Sequence, residues 1–126
     1  MIKLTDEKIK QLIEVLYESW SIESSSKWTK ENPAAGQCGV TALVMNDFLG
    51  GEILKTKLEE GWHYYNRIQG RNIDFSQSQF EEPPQYEHRI SNRQEAFSDT
   101  NNVQYGALKN RVYSALVKRG MLELER

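Results

Sequence analysis

One cysteine, Cys38, is all the thiol that this 126-residue chain carries. An intrachain disulfide and a zinc site built on paired cysteines are therefore excluded. A lone thiol can still cross-link two chains, and beyond that the sequence is silent on oligomeric state. Histidine is equally scarce, with only His63 and His88, and no HxH or HxxxH spacing joins them. A metal site would need both to converge with acids, so no metal and no cofactor is implied.

No apolar run approaches the ~18 residues of a membrane span. The opening MIKLTDEKIK has no apolar stretch of the kind a secretory signal needs, so a cytoplasmic protein is expected. Charge of one sign is also missing. The formal net charge is −2, and although all seven arginines follow residue 66, Glu81, Glu82, Glu87 and Glu95 are interleaved with them. No basic stripe forms, so nucleic acid is not an expected partner. There is no internal repeat, and the length suits a single domain over residues 1–126.

What is present reads as α+β. Thr5 caps a helix from Asp6 to Trp20, whose Ile9, Leu12, Ile13, Leu16, Tyr17 and Trp20 form one apolar face. A long polar connection, 21–37, follows; Trp28 and Pro33 pin it, and connections of that length are often functional. Cys38 to Leu49 is a second helix, apolar on most sides and hence central and buried, stopped by Gly50-Gly51. No lysine and no following helix accompany those glycines, so they are not a phosphate loop. The period then changes to two. Glu52–Leu58, Trp62–Ile68 and Asn72–Phe75 read as strands, with Tyr86–Ile90 as an edge strand. Gln104 to Arg119 reads as a last amphipathic helix, ending at Gly120.

Cys38 opens the buried helix, between Gln37 and Gly39. Unpaired N–H groups and the helix dipole stabilise a thiolate there, and small neighbours admit a substrate backbone. A small buried hydrophobe is the plainer alternative. His63 lies mid-strand and Asp74 follows eleven residues on. A four-residue loop over Arg67–Gly70 would pair Tyr64 with Ile73, Trp62 with Phe75 and His63 with Asp74. A two-residue turn at Gly70-Arg71 would instead pair Asp74 with Arg67 and leave His63 apart. In the first register His63 is the base for Cys38, and Asp74 orients it. The Cys38 N–H, with the amide of Gln37 or Asn32, would receive the oxyanion; both amides also suit ordinary loop capping, the favoured reading for Gln37. Trp62, Tyr64 and Tyr65 read as core and cleft wall, and His88 as a solvated side chain.

The order of Cys at a helix start, His on a strand and Asp on the next strand resembles the papain-like superfamily in its compact bacterial form. NlpC-type amidases, bacteriocin-leader peptidases and transglutaminase-like proteins share that order. GQCGVTALVM, residues 36–45, looks like the helix-opening segment of those enzymes. More closely, NPAAGQCGVTALVMNDFLGGEIL (32–54) and HYYNRIQGRNIDFSQSQF (63–80) resemble the YunG family of small bacterial proteins. The resemblance implies a papain-like core: a central buried helix on an antiparallel sheet of three to five strands, with flanking terminal helices. It also implies Cys38, His63 and Asp74 as nucleophile, base and orienting acid. A peptide, protein or small amide would be the substrate, in hydrolysis or acyl transfer. The sequence departs from the superfamily pattern in one place. Papain-like peptidases often carry a glutamine about six residues before the cysteine, where this chain has Asn32. That departure and the small size of the chain favour the alternative, a non-enzymatic binding domain on the same scaffold; the short Cys–His interval also leaves little room for a substrate-binding lobe.

Overall fold

The protein, described here by a computed structural model over residues 2–122, is α+β. Its elements run α1 (Asp6–Ser19), α2 (Cys38–Leu49), β1 (Glu52–Leu58), β2 (Gly61–Ile68), β3 (Arg71–Ile73), β4 (Arg89–Ile90), α3 (Arg93–Phe97) and α4 (Asn102–Lys118). A single 3₁₀ turn, 77–79, lies between β3 and β4. The sheet is antiparallel with order β3-β2-β1-β4.

Thr5 starts α1 by accepting the Lys8 N–H at 3.1 Å, and Leu12, Val15 and Leu16 turn inward. α2 has no polar face over its first two turns: Cys38 to Met45 are all buried. One core joins Leu12, Val15 and Leu16 of α1, Val40, Val44 and Met45 of α2, and Leu108, Val112 and Leu116 of α4. α2 therefore lies between the other two long helices and the sheet. A buried bond from Trp20 Nε1 to Thr41 Oγ1, 2.9 Å, ties the end of α1 to α2. The expected connection 21–37 is ordered by its own polar groups. Ser25 Oγ donates to the Ala35 carbonyl at 2.9 Å, and Ala34 is fully buried.

The turn from α2 into β1 depends on Gly51. Its φ is +80°, and a Cβ there would stand 2.2 Å from the Arg67 carbonyl oxygen. Only a glycine lets the chain cross that close to β2.

The β2–β3 hairpin differs from both expected registers. Ile68 pairs with Arg71, Arg67 with Asn72 and Asn66 with Ile73, across a two-residue Gln69-Gly70 turn. Both turn residues have positive φ, 52° and 79°, the conformation that matches strand twist in short hairpins. Gln69 takes it because its side chain is held from outside the turn: Nε2 donates to the Ile2 carbonyl and Oε1 accepts from Leu4 N–H, each 2.9 Å. The expected pairs Tyr64–Ile73 and Trp62–Phe75 do not form. Arg67 bonds Asn72 and pairs with Glu52, not Asp74.

Two further elements differ from expectation. The edge strand is reduced to Arg89–Ile90, because Glu87 and Thr56 exchange side-chain bonds with the backbone where ladder bonds would stand. α3 was not expected from hydrophobic period, yet Asn92 accepts from Glu95 N–H as its cap. Among the described residues no helix is long and apolar enough to cross a membrane.

Candidate active site

Side chains alternate along β2, so its two faces do different work. Tyr64, Asn66 and Ile68 face α2, where Asn66 Nδ2 donates to the Ala42 carbonyl at 3.0 Å. His63 and Tyr65 share the opposite face with Thr56. Cys38 and His63 thus belong to opposite faces, and they come together only at the open end of the sheet. There both line one cleft of about 490 Å³, with Lys27, Asn32, Trp62, Phe80 and Asp99 among its walls.

His63 is fixed from behind. Its Nε2 meets Asp74 Oδ2 at 2.6 Å, with both side chains buried. Asp74 stands just past the paired end of β3, so it reaches His63 diagonally rather than as a direct cross-strand partner. The shift of register is two residues, an even number, and an even shift keeps both side chains on one face. Tyr86 donates to the same Oδ2 at 2.7 Å, and Ser76 N–H and Oγ donate to Oδ1 at 3.1 and 3.2 Å. Phe80 packs edge-on to the imidazole, centroids 4.9 Å apart, and Tyr65 stacks at 5.9 Å. A neutral imidazole with a carboxylate on Nε2 carries its proton there, so Nδ1 is its acceptor nitrogen.

Cys38 has a different partner. Its thiol donates to Asp99 Oδ2 at 3.4 Å, and the same oxygen accepts the Gly39 N–H at 3.1 Å. No hydrogen bond joins Cys38 to His63. Burial pushes the Cys38 thiol up to about 12, Asp99 adds to the rise, and the backbone N–H of Tyr64 opposes it by donating to the sulfur. Asp99 is itself raised above the ordinary carboxylate range by desolvation, against the pull of its bonds to Cys38 and Gly39.

The two amides considered for the oxyanion separate. Gln37 is fully buried and donates from Nε2 to the Pro33 and Ser21 carbonyls at 3.3 and 3.5 Å. It braces the loop below α2 and does not line the cleft. Asn32 does line it, while donating from Nδ2 to the Gln79 carbonyl at 3.2 Å. His88 is not the solvated side chain expected. It is half-buried, its Nδ1 lies 3.0 Å from Tyr65 OH, and its φ is +53°. Among the described residues no group of three or more His, Cys, Asp or Glu is placed to hold a metal.

The family model described as YunG protein matches residues 8–117. The chain belongs to the YunG family. It is 55% identical over 95 residues to "Uncharacterized protein YunG" of Bacillus subtilis (strain 168), covering 75% of this chain and 83% of that protein. No solved structure matches the chain.

Sequence reasoning missed two residues of the candidate site, Asp99 and Tyr86. Asp99 lies 61 positions from Cys38, and no spacing rule links a loop acid to a helix start at that range. A signal for its supporting element was present. Asn92 and Glu95 stand at capping-box spacing, as do Asn101 and Gln104 of α4, and those boxes bracket the Asp99 turn.

Proposed function

We propose that this YunG-family chain is a thiol hydrolase or acyltransferase on a papain-like framework, acting on an amide or isopeptide bond. The observation that carries the reading is a shared cleft. Cys38 and His63 both line it, and Asp74 holds the far ring nitrogen of His63. In the proposed reaction His63 Nδ1 takes the thiol proton, and the sulfur adds to the amide carbonyl carbon. The carbonyl electron pair moves to oxygen, where the Cys38 N–H at the start of α2 and the Asn32 amide on the cleft wall are the candidate donors. The C–N bond then breaks, and the amine leaves with the proton from His63. Water or an acceptor amine adds to the thioester, returns a proton through His63, and the C–S bond breaks to restore the thiol. The cleft suits a peptide, protein or small amide, and the triad does not choose among them.

One observation favours a second reading, a binding domain that keeps the scaffold without the chemistry. Cys38 rests as a neutral thiol bonded to Asp99. The two readings separate on covalent chemistry. Incubated with p-nitrophenyl acetate, the enzyme is expected to gain one acetyl group on Cys38 by intact mass. His63→Ala should slow that gain by on the order of 10²-fold, the usual contribution of a general base. No adduct, or an adduct that forms equally fast in His63→Ala, would leave the binding domain.

A further inference from the structure

Asp74 holds His63, and a second set of donors holds Asp74. Its Oδ2 takes two of them at once, His63 Nε2 at 2.6 Å and the Tyr86 hydroxyl at 2.7 Å. Its Oδ1 takes Ser76 N–H and Oγ at 3.1 and 3.2 Å. Ser76 is two residues on, so its bonds close a local turn. Tyr86 comes from the long connection between β3 and β4, and it reaches the same oxygen that His63 uses. The direction of its proton is set. Gln77 Nε2 donates to the hydroxyl oxygen at 3.2 Å, which leaves the hydroxyl proton for Asp74. The ring is placed by other contacts. It stands edge-on to Tyr65, centroids 5.0 Å apart, and parallel to His88 at 5.8 Å. The next two residues fix the backbone: Glu87 N–H donates to Thr56 Oγ1 at 2.8 Å and His88 N–H to Tyr65 OH at 2.9 Å.

Two donors on one oxygen share its charge. The Asp74 side chain is only 5% exposed, so water does little to even out that division. A carboxylate favours the protonated form of an imidazole it faces, and each bond it accepts from elsewhere reduces that pull. We infer that Tyr86 is a positioning residue of the His63–Asp74 pair: its hydroxyl draws charge from Oδ2 and so weakens the hold of Asp74 on an imidazolium. This deepens the proposed reaction, in which His63 gives its proton to the leaving amine, and rests on that reading for its catalytic meaning. An imidazolium held too firmly by its carboxylate is a poor acid for that step.

The other groups around the pair are Cys38, Lys27, Glu60 and Asp99 on the cleft side, Tyr65 beside the ring, and His88 against Tyr86. Tyr86→Phe alters none of them and keeps the aromatic ring. The measurement is an NMR titration of the histidine rings in wild type and Tyr86→Phe. With two histidines in the chain, His88→Gln assigns the His63 signals. In Tyr86→Phe the midpoint of those signals should rise by about half a pH unit, because Asp74 then turns more of its charge on the ring. A merely structural role has the opposite sign: a loosened Asp74 holds the imidazolium less, and the midpoint falls. A midpoint that is unchanged or lower therefore overturns the inference. If Tyr86→Phe does not fold, Gln77→Ala decides by the same rule, since it weakens the hydroxyl as a donor while leaving it in place. The titration needs no turnover. Failure of the acetylation test above would refute catalysis and leave the midpoint shift standing, so the two are told apart.

Discussion

At the scale of single residues, two carboxylates serve the cleft, Asp99 on its wall and Asp74 behind His63. Asp74 accepts from His63, Tyr86 and both donors of Ser76, so its orientation is fixed by four bonds before any substrate arrives. Asp99 accepts from Cys38 and Gly39 alone and lies on an exposed turn. One holds a ring still, and the other caps the thiol and the N–H beside it. The state of Cys38 also has a consequence for stability. Its folded-state value is pushed from 9.0 up to about 12, first by burial and then by Asp99. Between those values the unfolded chain loses the thiol proton and the folded protein keeps it. With fewer protons bound in the unfolded state, stability falls as pH rises, by at most about 1.4 kcal/mol per pH unit from this group. Tyr64 and Tyr86 are raised by burial and slope the same way, so the difference between wild type and Cys38→Ser isolates the thiol. Urea unfolding from pH 9 to 11 should show a steeper loss in the wild type than in Cys38→Ser. Parallel curves would mean that the thiol titrates alike in both states.

At the scale of elements, α2 was legible because its composition is extreme: a run buried from Cys38 to Met45 leaves no choice of face. The β2–β3 register was not. Turn length there is set by Gln69, whose side chain binds Ile2 and Leu4 from the far N-terminus, and local turn rules contain no such contact. His63 and Asp74 were nonetheless matched, because any even register shift keeps them on one face and Asp74 can reach diagonally. The α2–α3 contact is where an element-level variant is most informative. Gly39→Ala puts a methyl group against the Ala96 carbonyl and Asp99, and backbone cannot yield as a side-chain tip can. A loss of about 1–3 kcal/mol is expected from this overpacking, read by urea denaturation. If α3 yields freely, the loss will be under ~0.5 kcal/mol, the range of surface substitutions.

For the whole molecule, the α+β class, the order of the three long helices and the antiparallel sheet followed from periodicity and turn chemistry in the sequence. The site followed only in part. Cys38, His63 and Asp74 are residue types with known chemistry at recognisable positions, whereas Asp99 and Tyr86 come from loops whose paths are set by the finished fold. Gln37 stayed open between loop brace and oxyanion donor because a buried amide bracing a loop and an amide lining a cleft look alike in one dimension; the structure shows the brace. The molecule brings a buried His–Asp pair and a helix-start cysteine to one end of its sheet, from opposite faces. In the proposed function Cys38 and His63 act there as one unit. The direct test is steady-state turnover of p-nitrophenyl acetate by wild type, Cys38→Ala, His63→Ala and the double variant. Residues that work as a unit lose about as much singly as together. Each single variant should therefore fall to the level of the double variant; losses that multiply, or a His63→Ala variant as fast as the wild type, would contradict a joint role.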